Sequence, residues 1–254
     1  MCLLLVSYKT HPKYKMIIAA NRDEFYNRPA SSADFWSDEP AILAGRDLKA
    51  GGTWLGITRK GRFAAITNYR DPKSMKTNAP SRGELVINFL LGNNSLSEFS
   101  KELLSSSDLY NGYNLLYADK ESIRYFSNQT KKQLVLSPGI YGLSNHLLDT
   151  PWPKVEKSKK SFKNILNKEF ISTENLFDIL SDSSIPPDEL LPDTGLGLEI
   201  ERAVSPIFVK TPQYGTRSST AILIDYDDNV IFTEKSLNDD LKEWSTKSFQ
   251  FKLI

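Results

Sequence analysis

The chain holds one cysteine, and it stands at position 2, heading the apolar run Cys2-Leu3-Leu4-Leu5-Val6. Methionine aminopeptidases remove an initiator methionine that precedes a small side chain, so the mature chain is expected to begin with a thiol and a free α-amine on one residue. An α-amine titrates near about 7.7–8.0 and a thiol near about 8.5, so close to neutral pH the amine can take the thiol proton without a dedicated histidine. Such a residue is a self-contained nucleophile and base. The competing reading is a buried strand cysteine that behaves as a small hydrophobe, and position alone does not separate the two.

Other polar groups could serve a thiol. Asn21-Arg22-Asp23-Glu24 follows the second predicted strand directly, and a hairpin would bring it to the start of the first. There Arg22 could stabilise a thiolate or clamp a carboxylate, and Asp23 could hold the α-amine in its working orientation. The plainer reading is an Asx turn with a local Arg–Asp or Arg–Glu pair. Asn68 and Asn145 both end predicted strands, where their amide groups could donate to a developing oxyanion or simply form turns. Arg217 enters an apolar strand from the polar cluster 215–220, placed to bind a carboxylate or orient Cys2. Gly51-Gly52-Thr53-Trp54 lacks the lysine of a phosphate loop and reads as a close backbone passage, with Trp54 as core or pocket wall. Trp54, Tyr69 and His146 are the candidate substrate contacts.

These groups need strands to position them. Residues 2–8 and 15–21 are short apolar runs around a turn at Thr10-His11-Pro12-Lys13, which leaves His11 exposed. Residues 53–58 and 62–68 flank Arg59-Lys60-Gly61, a three-residue hairpin loop with glycine where a left-handed conformation is wanted. Ser81-Arg82-Gly83-Glu84 has capping-box spacing ahead of a helix over about 82–92. Further strands are expected over 113–118, 122–127, 139–144, 218–225, 230–233 and 249–253, and helices over 153–166 and 173–180. The stretch 181–197, with its prolines and glycines, reads as a loop. Strands at both ends with helices mostly between them indicate an α+β fold with antiparallel pairs, a layered sandwich rather than a doubly wound sheet.

Composition bounds the function. The 254 residues are 40% hydrophobic and 25% charged, and no second-domain linker stands out, so residues 1–254 read as a single domain. A formal net charge of +1 supplies no field to gather nucleic acid or an anionic membrane. One cysteine and two histidines exclude an internal disulfide framework and argue against a structural zinc site, which points to a reducing cytoplasm. No apolar stretch approaches the roughly 20 residues of a membrane span.

Several motifs resemble one family in order along the chain: Met1-Cys2, Ala19-Ala20-Asn21-Arg22-Asp23-Glu24-Phe25-Tyr26, Gly51-Gly52-Thr53-Trp54-Leu55-Gly56, Thr67-Asn68-Tyr69, Tyr110-Asn111-Gly112-Tyr113, Gly142-Leu143-Ser144-Asn145 and Tyr214-Gly215-Thr216-Arg217. On these the chain is identified as a member of the NRDE family, also called transport and Golgi organisation protein 2. The resemblance implies an N-terminal-nucleophile hydrolase-like fold, a four-layer αββα sandwich of mainly antiparallel sheets. It also implies similarity to choloylglycine hydrolase and penicillin V acylase, whose site pattern would fall on Cys2, Arg22, Asp23, Asn68, Asn145 and Arg217. Those acylases space the arginine and aspartate more widely, whereas here Arg22 and Asp23 are adjacent. The implied ligand is a small acyl or amide substrate, with no cofactor and no metal. The alternatives are a haem or acyl-CoA carrier and a secretory-pathway scaffold. His146, more weakly His11, and Cys2 are the conceivable haem ligands. Lys154, Lys157, Lys159, Lys160 and Lys163 could contact phosphates, though a lysine-rich helix more often presents a solvated face.

Overall fold

The computed structural model describes residues 1–238 and 243–254. In chain order the strands are β1 (Leu3–Tyr8), β2 (Tyr14–Phe25), β3 (Ala30–Phe35), β4 (Ile42–Asp47), β5 (Leu55–Thr58), β6 (Phe63–Asn68), β7 (Tyr113–Ala118), β8 (Ile123–Ser127), β9 (Lys132–Val135), β10 (Gly139–Leu143), β11 (Tyr214–Asp225), β12 (Asn229–Leu237) and β13 (Trp244–Lys252). The helices are α1 (Gly83–Leu91), α2 (Leu96–Ser106), α3 (Pro153–Ile165), α4 (Thr173–Leu180) and α5 (Leu198–Ala203). Two compact units result: residues 1–27 with 138–251, and residues 28–137 with 252–254.

The first unit is built on a six-stranded sheet in the order β10-β1-β2-β11-β12-β13, with antiparallel pairing through its centre. Alternation along the strands sends Leu3, Leu5, Ile17, Ala19, Ala221 and Leu223 to one face, where they pack on Val155 and Phe162 of α3 and Leu176, Phe177 and Leu180 of α4. Each of the valine, leucine, isoleucine and phenylalanine side chains among them, fully buried, contributes about 1.5–3 kcal/mol. Helix α3 starts with Pro153 in its first turn, carries Glu156 there, and ends with Lys163 in its last turn, each suited to the helix dipole or the missing donor. Helix α4 starts from a capping box between Ser172 and Asn175.

The second unit holds a seven-stranded sheet, β3 through β9 in sequence order, with every ladder antiparallel. Phe89 of α1, Phe99 of α2 and Tyr117 of β7 meet with ring centroids 4.9–5.4 Å apart at the centre of its core. Gly61 adopts φ +82° in the β5–β6 loop, as its hairpin position requires. The Gly51-Gly52 pair does bring backbones together: a Cβ on Gly52 would lie 2.8 Å from the Gly83 carbonyl carbon at the start of α1. Backbone cannot give way as a flexible side chain can, so Gly52→Ala is expected to cost about 1–3 kcal/mol. A urea midpoint unchanged from wild type would contradict this packing.

Several elements differ from expectation. The strand predicted over 15–21 continues to Phe25 because β1 and β11 pair with it on both sides. Asn21-Arg22-Asp23-Glu24 therefore lies within a strand, not in a turn after it. Strands β3, β4 and β9 and helices α2 and α5 lie outside the sequence expectation. The Ser81–Glu84 capping box does not form, because Glu84 instead accepts from Tyr110 Oη at 2.9 Å. His11 is buried, not exposed: Nδ1 accepts from the backbone amides of Lys13 and Tyr14, and Nε2 lies 2.9 Å from the Lys168 carbonyl. Among the described residues no helix is long and apolar enough to cross a membrane.

Candidate active site

Cys2 extends the β1–β2 ladder by one step. Its backbone N–H donates to the Asn21 carbonyl at 3.0 Å, and Ser144 Oγ donates to its carbonyl at 2.7 Å. Its side chain is 5% exposed, with Sγ 3.3 Å from Tyr214 Oη and 3.7 Å from the backbone oxygen of Asp23. The start of β1, the end of β2 and the start of β11 thus meet around one thiol.

A register shift in the β2–β11 ladder shapes this end of the sheet. Thr216 stands opposite Asp23 and Ser218 opposite Arg22, which leaves Arg217 as the extra residue of a bulge. Thr216 Oγ1 donates to Asp23 Oδ1 at 2.7 Å. The Arg217 guanidinium donates to the Tyr26 carbonyl at 2.9 Å, clamping the chain as it leaves β2. Asn21 is a brace as well: its amide donates to the Leu180 and Ile207 carbonyls at 2.8 and 2.9 Å, and its oxygen accepts from Ser219 Oγ at 2.6 Å.

The adjacency of Arg22 and Asp23 has a structural consequence, since successive strand residues point to opposite faces. Arg22 forms a long ion pair with Glu24, 3.8 Å between Nη2 and Oε2. Asp23 faces Thr216, and the buried Lys154 ammonium acts on it electrostatically. Burial pushes the Asp23 carboxyl above its ordinary value, opposed by Lys154 and then by the Thr216 hydrogen bond. The Met1 amine, also buried, is pushed below its ordinary value by desolvation. Burial and the neighbouring Cys2 and Asp23 raise the Tyr214 hydroxyl well above its usual range, so it stays protonated and can donate.

Asn145 is buried directly after Ser144, the residue bound to the Cys2 carbonyl. His146 places Nδ1 2.8 Å from Thr150 Oγ1, stacks obliquely on Trp152, and is held below its ordinary pKa by burial. Cys2, Arg22, Asp23, Asn145 and Arg217 thus all sit at or beside one end of the first unit's sheet. Asn68, Tyr69 and Trp54 belong to the second unit. Asn68 ends β6 opposite Tyr113, the Tyr69 amide donates to Gly112, and the Trp54 ring packs on Gly45.

Three residues of the cluster were missed. Tyr214 and Thr216 belong to the motif that yielded Arg217, and only the bulged pairing reveals which of its side chains meet Cys2 and Asp23. Lys154 did leave a signal: Lys154, Ser158 and Phe162 recur at helical spacing, and all three are buried.

A family model, Transport and Golgi organisation 2, matches residues 1–239. The chain belongs to the Transport and Golgi organisation 2 family. Relatives in this family include the Transport and Golgi organization protein 2 homologs of Bos taurus and Homo sapiens, 39% and 38% identical over all of this chain and 99% of each relative. The Drosophila melanogaster Transport and Golgi organization protein 2 is 26% identical over 96% of both chains. Among solved structures, a Caenorhabditis elegans ortholog of N-acylethanolamine-hydrolyzing acid amidase aligns with a TM-score of 0.53 at 10% identity, covering 87% of this chain and 92% of its own. A mutant of conjugated bile acid hydrolase from Clostridium perfringens aligns with a TM-score of 0.52 at 11% identity, covering 99% and 97%. At such identities the likeness is one of fold, and with the two antiparallel sheets and their helices it bears out the expected α+β class for this member of the Transport and Golgi organisation 2 family.

Proposed function

We propose that the chain is an N-terminal cysteine hydrolase acting on a linear amide or acyl compound once Met1 is removed. The observation that carries this reading is the position of Cys2. Its nitrogen is already fixed on the Asn21 carbonyl, and its sulfur lies in a buried polar cluster with Tyr214 and Asp23. After Met1 is cleaved, that nitrogen is the α-amine, anchored beside its own thiol. Burial at this end of the sheet disfavours the charged amine, as it does for Met1, and so favours the neutral form that accepts a proton.

In the proposed cycle the amine takes the thiol proton and the thiolate adds to the substrate carbonyl. The Asn145 amide and the Tyr214 hydroxyl supply donors for the oxyanion. The amine then passes its proton to the leaving nitrogen as the carbon–nitrogen bond breaks and a thioester forms. Water, losing a proton to the amine, attacks the thioester, and the acid leaves as the thiol is regenerated. Both solved relatives in fold carry hydrolase names, and one is an amidase, which supports the same chemistry. Intact mass of the protein from its native host should show loss of Met1, and a panel of acyl amides and thioesters should give a covalent acyl adduct on Cys2. Absence of any adduct with processed protein that still binds haem or acyl-CoA would favour the carrier reading instead.

A further inference from the structure

The outer strand β10 and helix α3 together hold a carboxylate of the chain itself. Asp149 approaches β10 from outside the sheet: its backbone N–H donates to the Gly142 carbonyl at 2.8 Å, and its Oδ1 accepts from the Gly142 N–H and from Lys159 Nζ of α3, each at 2.7 Å. One strand amide and one helix ammonium thus share a carboxylate oxygen. Along an antiparallel strand, alternate residues turn their backbone groups to the same side. Strand β10 pairs with β1 and ends the sheet, so Ile140, two residues before Gly142, also turns its N–H and C=O outward. Its side chain packs on the core cluster under α3 and α4, which fixes the strand at this point.

Helix and strand keep step beyond this pair. Two residues advance about 6.6–6.8 Å along a strand and four residues about 6 Å along a helix, so Lys163 stands to Ile140 much as Lys159 stands to Gly142. A groove of about 530 Å³ lies there, lined by Ile140, Lys159, Lys160, Lys163 and Glu156 among others. Its volume falls in the ~300–1,000 Å³ range of small-molecule sites. Three lysines face a single carboxylate, Glu156, on this wall. Lys159 is committed to Asp149, whereas Lys160 and Lys163 enter no ion pair or hydrogen bond among the described residues. From this repetition we propose that the groove between β10 and α3 binds an oxyanion, the carboxylate or phosphate of a small molecule, with one oxygen accepting from the Ile140 N–H and its charge met by Lys163 and Lys160. The site is independent of the chemistry at Cys2.

Amide NMR of the isotope-labelled protein reads the Ile140 N–H directly. The protein is titrated with malonate and, separately, with pyrophosphate, at about 0.15 M salt so that diffuse attraction is screened beyond about 8 Å. The Ile140 resonance should shift and saturate with at least one of them, and the tighter of the two shows whether carboxylate or phosphate is the better fit. Lys160→Gln and Lys163→Gln should each weaken binding by about two- to fivefold, the range for exposed charge pairs. Both side chains are exposed, so the rest of the spectrum should stay in place and report an intact fold. Lys157→Gln removes the same charge from the same helix but outside this groove, where Lys157 pairs with Asp182, and it should bind as wild type does. An Ile140 amide that does not move, or moves without saturating, with both anions overturns the proposal. So does a saturable shift that survives both Lys160→Gln and Lys163→Gln, or one that Lys157→Gln weakens equally, since the lysines would then act only as a solvated charged face.

Discussion

Cys2→Ser should abolish acyl-enzyme formation and reduce turnover by at least about 10³-fold while leaving substrate binding within a few-fold of wild type. The substitution keeps the backbone bond to the Asn21 carbonyl and nearly the same side-chain volume, so the pocket keeps its shape. It replaces sulfur with a hydroxyl, a much less acidic nucleophile in a site arranged around a thiol, and nucleophile loss acts on kcat more than on binding. Serine also permits Met1 cleavage, so the comparison holds processing constant, which intact mass verifies. Arg22→Ala behaves differently: it removes the cation beside Glu24 and should impair binding as well as rate if the substrate carries an anionic end. A Cys2→Ser protein that turns over at the wild-type rate would eliminate the thiol as nucleophile.

How much of this was legible in the sequence depended on whether a residue acts through local pattern or through pairing. The thiol at position 2 and the paired strands around it follow from short apolar runs and a turn, which are local signals. The end of β2 did not, because a run of asparagine, arginine, aspartate and glutamate has no apolar alternation, and only its two neighbouring strands hold it extended. Strand β9, whose four residues are all exposed, and the start of β13, where exposed and half-buried positions alternate, lie at sheet edges and carry no apolar signal either, while the end of β13 coincides with the strand expected over 249–253. Arg217 was found as a residue but not as a bulge, since a register shift exists only between two strands. Its guanidinium now has an evident task on the Tyr26 carbonyl, which the motif alone could not distinguish from carboxylate binding. The five lysines of the helix expected over 153–166 read together as a solvated face, and burial beside Val155 and Ser158 sets Lys154 apart from the rest.

That burial leads to the second large effect. Lys154→Met is expected to destabilise the protein at neutral pH, because it removes the buried cation that most opposes the effect of burial on the Asp23 carboxyl. The sign of the pH dependence follows from Asp23. Burial raises its carboxyl above the unfolded value, and Lys154 is the foremost influence holding it down. A carboxyl raised in the folded state contributes stability that is present below its unfolded pKa and lost as pH rises through the folded one. Methionine at 154 lifts the folded value further, so the loss at neutral pH grows, whereas it shrinks as falling pH protonates Asp23, and the variant should then approach wild type. Urea unfolding at about pH 5 and about pH 7.5 measures the difference directly. Asp23→Asn on the Lys154→Met background should recover much of the neutral-pH loss, since the amide oxygen can still accept from Thr216 without carrying a charge. A Lys154→Met penalty below about 1 kcal/mol, equal at both pH values, would mean that the ammonium does not hold Asp23 ionised, because a buried carboxylate left without its counter-charge costs far more than that.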